Sequence, residues 1–169
     1  AAGKQIPDAS CHWNPQFWRN FTKNVQSAND QGFVVVIVGL MDPFIEKISE
    51  SMSAYPSLAE SKTFARALVA HLSGNFVIFS PGFDRDPKDS GITNRINQIG
   101  TEILNASHFG TTSPKPRHLI TNHFAGGSQA SDITAFQEQS WLSFQMYQSG
   151  QAAAEAQKSV CVYNACTQS

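Results

Sequence analysis

Charge is sparse in this chain: 15% of its 169 residues are Asp, Glu, Lys or Arg, and the formal net charge is −1. No run or stripe of Lys and Arg is available to neutralise a phosphate backbone, which argues against a nucleic-acid partner. Long apolar runs are missing too. The longest, Phe33 to Met41, is a strand's length and far short of the roughly 20 residues a membrane helix needs, so no membrane partner is expected. No Gly-x-Gly-x-x-Gly follows a strand, and there is no phosphate loop, His-Glu-x-x-His or Gly-x-Ser-x-Gly. Neither a cofactor nor a metal is therefore expected. A signal peptide is also lacking, and any such segment is expected to have been removed or to lie outside this chain.

Cysteine is scarce and odd in number: Cys11, Cys161 and Cys166. Cys161 and Cys166 are close enough for a local disulfide but are not spaced as a CxxC redox or zinc pair. Cys11 is then left over, bridges to one of them, or pairs with a cysteine on another segment. Two glycosylation sequons are present, Asn20-Phe21-Thr22 and Asn105-Ala106-Ser107. With few lysines and a candidate disulfide, they point to a secreted, extracellular eukaryotic glycoprotein.

The order of elements carries the fold class. Trp13 to Asp30 reads as a helix with Pro15 in its first turn, Phe17, Phe21, Val25 and Ala28 on one face, and Gly32 as a left-handed cap. Phe33 to Gly39 is continuously apolar and β-branched, as expected of a parallel strand buried on both faces. Asp42-Pro43 starts a helix that fades before Tyr55-Pro56. Ser57 caps another that runs to about His71, with Leu58, Phe64, Leu68 and Leu72 inward. Phe76 to Phe79 is a second buried strand. Ile92, Ile96, Ile99 and Ile103 mark the inner face of a further helix. After the Pro114-Lys115-Pro116 break, His118 to Thr121 is a third strand. A short helix near Ser131 to Gln139 and a fourth strand from Trp141 to Tyr147 follow. Helix and strand alternating in units of roughly 30 to 45 residues indicate parallel α/β architecture.

In such folds ligands meet the carboxyl ends of strands. Asp42, Ser80 to Asp86, Asn122-His123 and Gln148 to Gly150 stand at those ends. Asp84 follows a buried strand closely enough for desolvation to raise its pKa toward a general acid's range, the competing role being a loop aspartate or helix cap. Asp86 before Pro87 reads as a turn residue and Asp42 before Pro43 as an N-cap. His123 suits a proton shuttle, a substrate ligand or a backbone-bonded loop histidine. Gln145, Tyr147 and Gln148 donate and accept, which suits hydroxyl recognition, though Tyr147 also reads as a core aromatic. Trp13, Trp18 and Trp141 have the faces to stack on sugars, with packing as their default role.

The stretch Arg117-His-Leu-Ile-Thr-Asn-His-Phe-Ala-Gly-Gly127, followed by Ser140-Trp-Leu-Ser-Phe-Gln-Met-Tyr-Gln-Ser-Gly150, resembles the apiosidase-like glycoside hydrolase family. Its members carry a His-Leu-Ile-Thr-x-His strand, a Gly/Ser loop and then Trp-Leu-Asp-Phe-x-Met-x-Gln-Ser-Gly-His. Upstream, Ala28 to Val36 resembles the family's helix ending before its third strand. Phe76 to Asp84 resembles its fourth strand, which ends Trp-x-x-Gly-Gly-Asp.

The resemblance implies an α/β fold, an eight-stranded (β/α) TIM barrel. Residues 1–169 would be the central part of a single catalytic domain, roughly strands three to six. It implies a secreted glycoside hydrolase that cleaves cell-wall polysaccharide by a two-carboxylate retaining mechanism. Asp84 matches the family's acid/base carboxylate, and the nucleophilic glutamate, after the seventh strand, is expected outside this chain. Asn122, His123, Gln145, Tyr147 and Gln148 would hold sugar hydroxyls. The expected partners are a polysaccharide or oligosaccharide substrate and the remaining segments of the same barrel. The family's Trp in the fourth strand is Phe79 here, and the glycine before the acid is Phe83. The aspartate of the late motif is Ser143, and its final histidine is Gln151. These departures concern the sugar rather than the fold, and they leave a non-catalytic carbohydrate-binding barrel as the alternative.

Overall fold

The structure is a computed structural model, which describes residues 14–38, 57–82, 90–108, 118–123 and 136–146. The first helix, α1 (Pro15–Asp30), begins where Asn14 Oδ1 accepts the N–H groups of Gln16 (2.9 Å) and Phe17 (3.4 Å). Pro15 takes the first helical position, where a missing N–H costs nothing. The helix ends in a Schellman motif. Gly32 N–H donates to Asn29 O and Phe33 N–H to Ala28 O, with Gly32 at φ 86°. Trp18 and Val25 are its buried residues. Phe17, expected on that face, is 47% exposed and stacks on Phe21 instead. The larger indole takes the interior place, stacked on His71 (centroids 4.3 Å apart) and tilted against Phe64.

The strands are β1 (Val35–Val38), β2 (Val77–Ser80) and β3 (Leu119–Ile120), each shorter than or offset from its apolar run. They form one parallel sheet in the order β1-β2-β3, with Ile37 opposite Phe79 and Phe79 opposite Ile120. An asparagine completes the amino-terminal edge. Asn29 Nδ2 donates to Phe33 O and Phe76 O, while its Oδ1 accepts from Phe76 N–H. That side chain stands in for sheet partners the strands lack there.

Between the strands run α2 (Leu58–His71) and α3 (Ser90–His108). Ser57 and Glu60 close a capping box at the start of α2. The two helices lie side by side, joined by Arg66 to Glu102 (2.9 Å), Lys62 to Gln98 (3.2 Å) and Arg95 to Ser61 (2.6 Å). Beneath them Leu68, Leu72, Phe79, Ile96, Ile99, Ile103 and Ile120 belong to one core that also holds Trp18 and Trp141. As the isoleucine spacing predicts, Ile96, Ile99 and Ile103 are fully buried, with Ile92 partly so. Leu58 and Phe64 are only partly buried, and Ala65 and Val69 take the inner positions.

All three helices therefore cover the face that carries Val35, Ile37, Val77, Phe79 and Ile120. The opposite face is apolar and open: Val36 and Val38 are 41% and 40% exposed and Leu119 is 52% exposed. Burial of the first strand on both faces is thus not what the described residues show. The expected fourth strand is also corrected. Segment 141–146 runs beside β3 but makes only an isolated parallel bridge, His123 with Met146. Side-chain hydroxyls interrupt the ladder. Ile120 N–H donates to Ser143 Oγ, and Thr121 Oγ1 donates to Phe144 O. Ser143 keeps one main-chain link, its N–H to Ile120 O at 2.8 Å. Phe136 to Glu138 form a turn, and the expected helix start at Ser131, like the helix expected from Asp42, lies outside the described residues.

Trp141 reaches the core through a gap in α3. A Cβ on Gly100 would sit 2.7 and 2.8 Å from its Cε2 and Cε3 and nearer still to Cδ2. Alanine inside a helix is intrinsically better than glycine by about 1 kcal/mol, but overpacking against a rigid ring costs about 1–3 kcal/mol. Gly100→Ala is therefore expected to lower stability by up to about 2 kcal/mol in urea unfolding, an effect removed when Trp141→Leu is made as well. Stabilisation by Gly100→Ala alone would contradict this packing.

The capping box carries a pH dependence. The Ser57 hydroxyl, and then its main-chain N–H, hold the Glu60 carboxyl below its ordinary 4.5. A lowered folded value means that the contribution is complete above about 4.5 and is lost as the pH falls from there through the folded value. The stability gap between the wild type and Glu60→Gln is expected to narrow on acidification through that range. A constant gap in urea midpoints would count against the cap.

Candidate functional site

The carboxyl ends of β2 and β3 meet in a buried knot of polar groups. Ser80, the last residue of β2, lies on the sheet face away from the helices and is 1% exposed. Its Oγ accepts the His123 N–H at 2.9 Å and donates to Gly82 O at 2.6 Å. Asn122, wholly buried, accepts the Gly82 N–H on Oδ1 at 2.9 Å. Both polar groups of Gly82 are thus held, one by a side chain of its own strand end and one by a side chain of the next. Thr121 extends the contact outward. Its N–H donates to Phe79 O and its Oγ1 to Phe144 O, both at 2.8 Å.

Position Gly82 has no room for a side chain. A Cβ there would lie 2.5 Å from Asn122 Oδ1 and 3.1 Å from Ile96 Cδ1. The glycine permits the close approach of β2's exit turn to Asn122. On the other side of Asn122, Nδ2 is buried and has no hydrogen-bond partner. Such a donor ordinarily costs about 1–3 kcal/mol.

Of the residues singled out from the sequence, the structure brings Asn122, His123 and Gln145 to one end of the sheet. His123 and Gln145 are partly exposed there, and a parallel bridge pairs His123 with Met146, the residue after Gln145. Asp84, Tyr147 and Gln148 lie outside the described residues, as do Asp42, Asp86, Trp13, Cys11, Cys161 and Cys166. Trp18 and Trp141 are 3% and 1% exposed and pack in the core, Trp141 with its Nε1 donating to Asn97 Oδ1. Asn20 and Asn105 are exposed on α1 and α3.

Two departures from the family pattern can be placed. Phe79 is fully buried on the helix side of the sheet, edge-on to His118 at 5.1 Å, so this exchange lies in the core and not on a sugar-facing surface. Ser143 accepts from Ile120 N–H, so an oxygen acceptor is retained at that position. The sequence places Ser80 at a strand end without a role of its own, and its signal is slight: a serine ending an apolar strand just before Pro-Gly.

Among the described residues no three His, Cys, Asp or Glu side chains gather as metal ligands, and no helix is long and apolar enough to cross a membrane. A family model described as "Apiosidase-like, catalytic domain" matches residues 3–168. Neither the curated proteins nor the solved structures give a match.

Proposed function

The chain belongs to the apiosidase-like catalytic-domain family, and we propose that it is a secreted glycoside hydrolase that cleaves cell-wall polysaccharide with retention of configuration. Family membership supports glycosidase activity and a carbohydrate substrate. The observation that carries the reading further is the buried knot at the strand ends. It places polar groups where (β/α) folds do chemistry, and it ends two residues before Asp84.

The architecture proposed is a closed (β/α)8 barrel, of which β1, β2 and β3 are consecutive staves. Strand order follows chain order, without the reversal of a doubly wound sheet. The helices lie on one face, and the register sets Val36, Ile78 and Leu119 in a row on the other. An apolar row of that kind is what a barrel interior requires, filled from the remaining segments of the same barrel. Residues 1–169 form the central part of that single domain.

In this reading Asp84 protonates the leaving glycosidic oxygen and then removes a proton from the attacking water. A glutamate on another segment of the barrel, its carboxyl about 5 Å away, forms the glycosyl-enzyme. Three of the four described carboxylates have other work, Asp30 accepting from Gln26, Glu60 capping α2 and Glu102 pairing with Arg66, and the fourth, Glu138, is exposed in the turn before Trp141. His123, Gln145, Tyr147 and Gln148 hold sugar hydroxyls, with Asn122 at the floor. The family's description makes apiosides the first substrates to assay. Exposure of Asn20 and Asn105 on helices of the outer layer supports glycans there and a secreted, extracellular protein. No nucleic acid, membrane, metal or cofactor enters this reading.

Asp84→Asn is expected to lower kcat on an apiose-bearing oligosaccharide by at least about a hundredfold while leaving binding, followed by calorimetry, near the wild-type level. Unchanged turnover would remove Asp84 from the mechanism.

A further inference from the structure

We infer that Asn105 receives its glycan before α3 folds, and that the Ser107 hydroxyl in the buried face of that helix serves the modifying enzyme and not the fold. The inference rests on the secreted-glycoprotein part of the reading above and deepens it.

A glycosylation sequon is read as two side chains together, the asparagine amide that takes the sugar and the hydroxyl two residues on. In an extended chain residues i and i+2 lie on one face, so a single enzyme surface can engage both. A helix turns them about 200° apart. Asn105 and Ser107 both lie in α3, and the helix divides them: Asn105 is exposed, whereas Ser107 is 0% exposed. Ser107 follows Ile103 by four residues and continues the stripe of Ile96, Ile99 and Ile103 into the core. That part of the helix is held, with Ile99 and Ile103 in the core and Glu102 paired to Arg66 of α2 at 2.9 Å. The folded protein therefore presents the asparagine without its hydroxyl.

The hydroxyl does no work once α3 has formed. Serine and threonine inside a helix can turn their oxygen back to the carbonyl four residues earlier. Thr63 does so to Ala59 O at 2.9 Å, and Thr101, in the same helix as Ser107, does so to Asn97 O at 2.8 Å. Ser107 Oγ is buried and has no hydrogen-bond partner among the described residues. Its lost hydration is uncompensated, and alanine, slightly smaller and a better helix former, would suit the folded site more. The unfolded chain is where this oxygen has a use. There, transfer joins the Asn105 side-chain nitrogen to the anomeric carbon of a lipid-pyrophosphate-linked oligosaccharide. The bond from that carbon to the pyrophosphate oxygen breaks, the lipid pyrophosphate leaves with the electron pair, and the amide nitrogen gives up one proton.

The test compares the chain before and after folding. In the protein purified from its natural source, enzymatic deglycosylation in heavy-oxygen water followed by peptide mapping is expected to mark Asn105 as glycosylated. The full chain made in bacteria, without glycans, is folded and then given solubilised oligosaccharyltransferase and a lipid-linked oligosaccharide. It is expected to take at least about tenfold less glycan at Asn105 than the Ile99→Asp chain, in which a buried charge prevents folding. In the same bacterial protein Ser107→Ala is expected to raise the urea midpoint by about 0.5 M. Transfer to the folded protein as fast as to Ile99→Asp, or to neither, overturns the order of events. A midpoint that does not rise means that the hydroxyl serves the fold, and overturns its assignment to the enzyme. A natural protein glycosylated at Asn20 and bare at Asn105 overturns the inference and leaves the secreted-glycoprotein reading standing; one bare at both overturns the two together.

Discussion

A strand that must lie parallel to the one before it cannot be reached by a tight turn. The chain has to cross back over the sheet, and a right-handed return sets the connecting helix on the same side each time. That constraint shapes what is seen here. With β1, β2 and β3 adjacent in chain order, the helices share one face, and their apolar stripes meet Val77, Phe79 and Ile120 in a single core. The other face keeps Val36, Val38 and Leu119 apolar without a described cover. It also brings the carboxyl ends of successive strands together on one rim. The knot of Ser80, Gly82, Asn122 and His123 exists because of that meeting.

Much of the fold was legible because helix termini and apolar runs are written locally. Pro15 in a first turn, Gly32 and Ser57 each announce a helix end through the chemistry of a few residues, and each does what it announces. The isoleucines of α3 give the buried face by spacing alone. Failures came where the deciding partner is distant. Phe17 and Trp18 are equally apolar neighbours on α1, and the choice between them was made by Phe64 and His71 on α2. The expected fourth strand alternates as a strand should. Ser143 and Thr121 hydroxyls nevertheless take the places of main-chain partners, which hydropathy does not register.

The candidate site divides along the same line. That polar residues such as His123 and Gln148 stand after strands can be read directly, and the family pattern assigns Asp84. That Asn122 serves Gly82 depends on two residues forty positions apart meeting at hydrogen-bond distance. Burial changes the meaning of the residue as well. An asparagine beside a histidine at a strand end suggests a sugar ligand, but one with its carbonyl oxygen committed and no exposed surface acts on the protein first. The same holds for Phe79, which differs from the family pattern at a position that faces the core.

The central claim is that carbohydrate is processed at the carboxyl rim of this sheet, beside the tie between β2 and β3. A crystal structure of Asp84→Asn with an apioside bound tests it most directly. The account predicts the sugar at the ends of β2 and β3, within hydrogen-bond distance of the His123 side chain, with its glycosidic oxygen turned toward residue 84. A sugar seated at the amino-terminal edge beside Asn29, or on the helical surface, would contradict it.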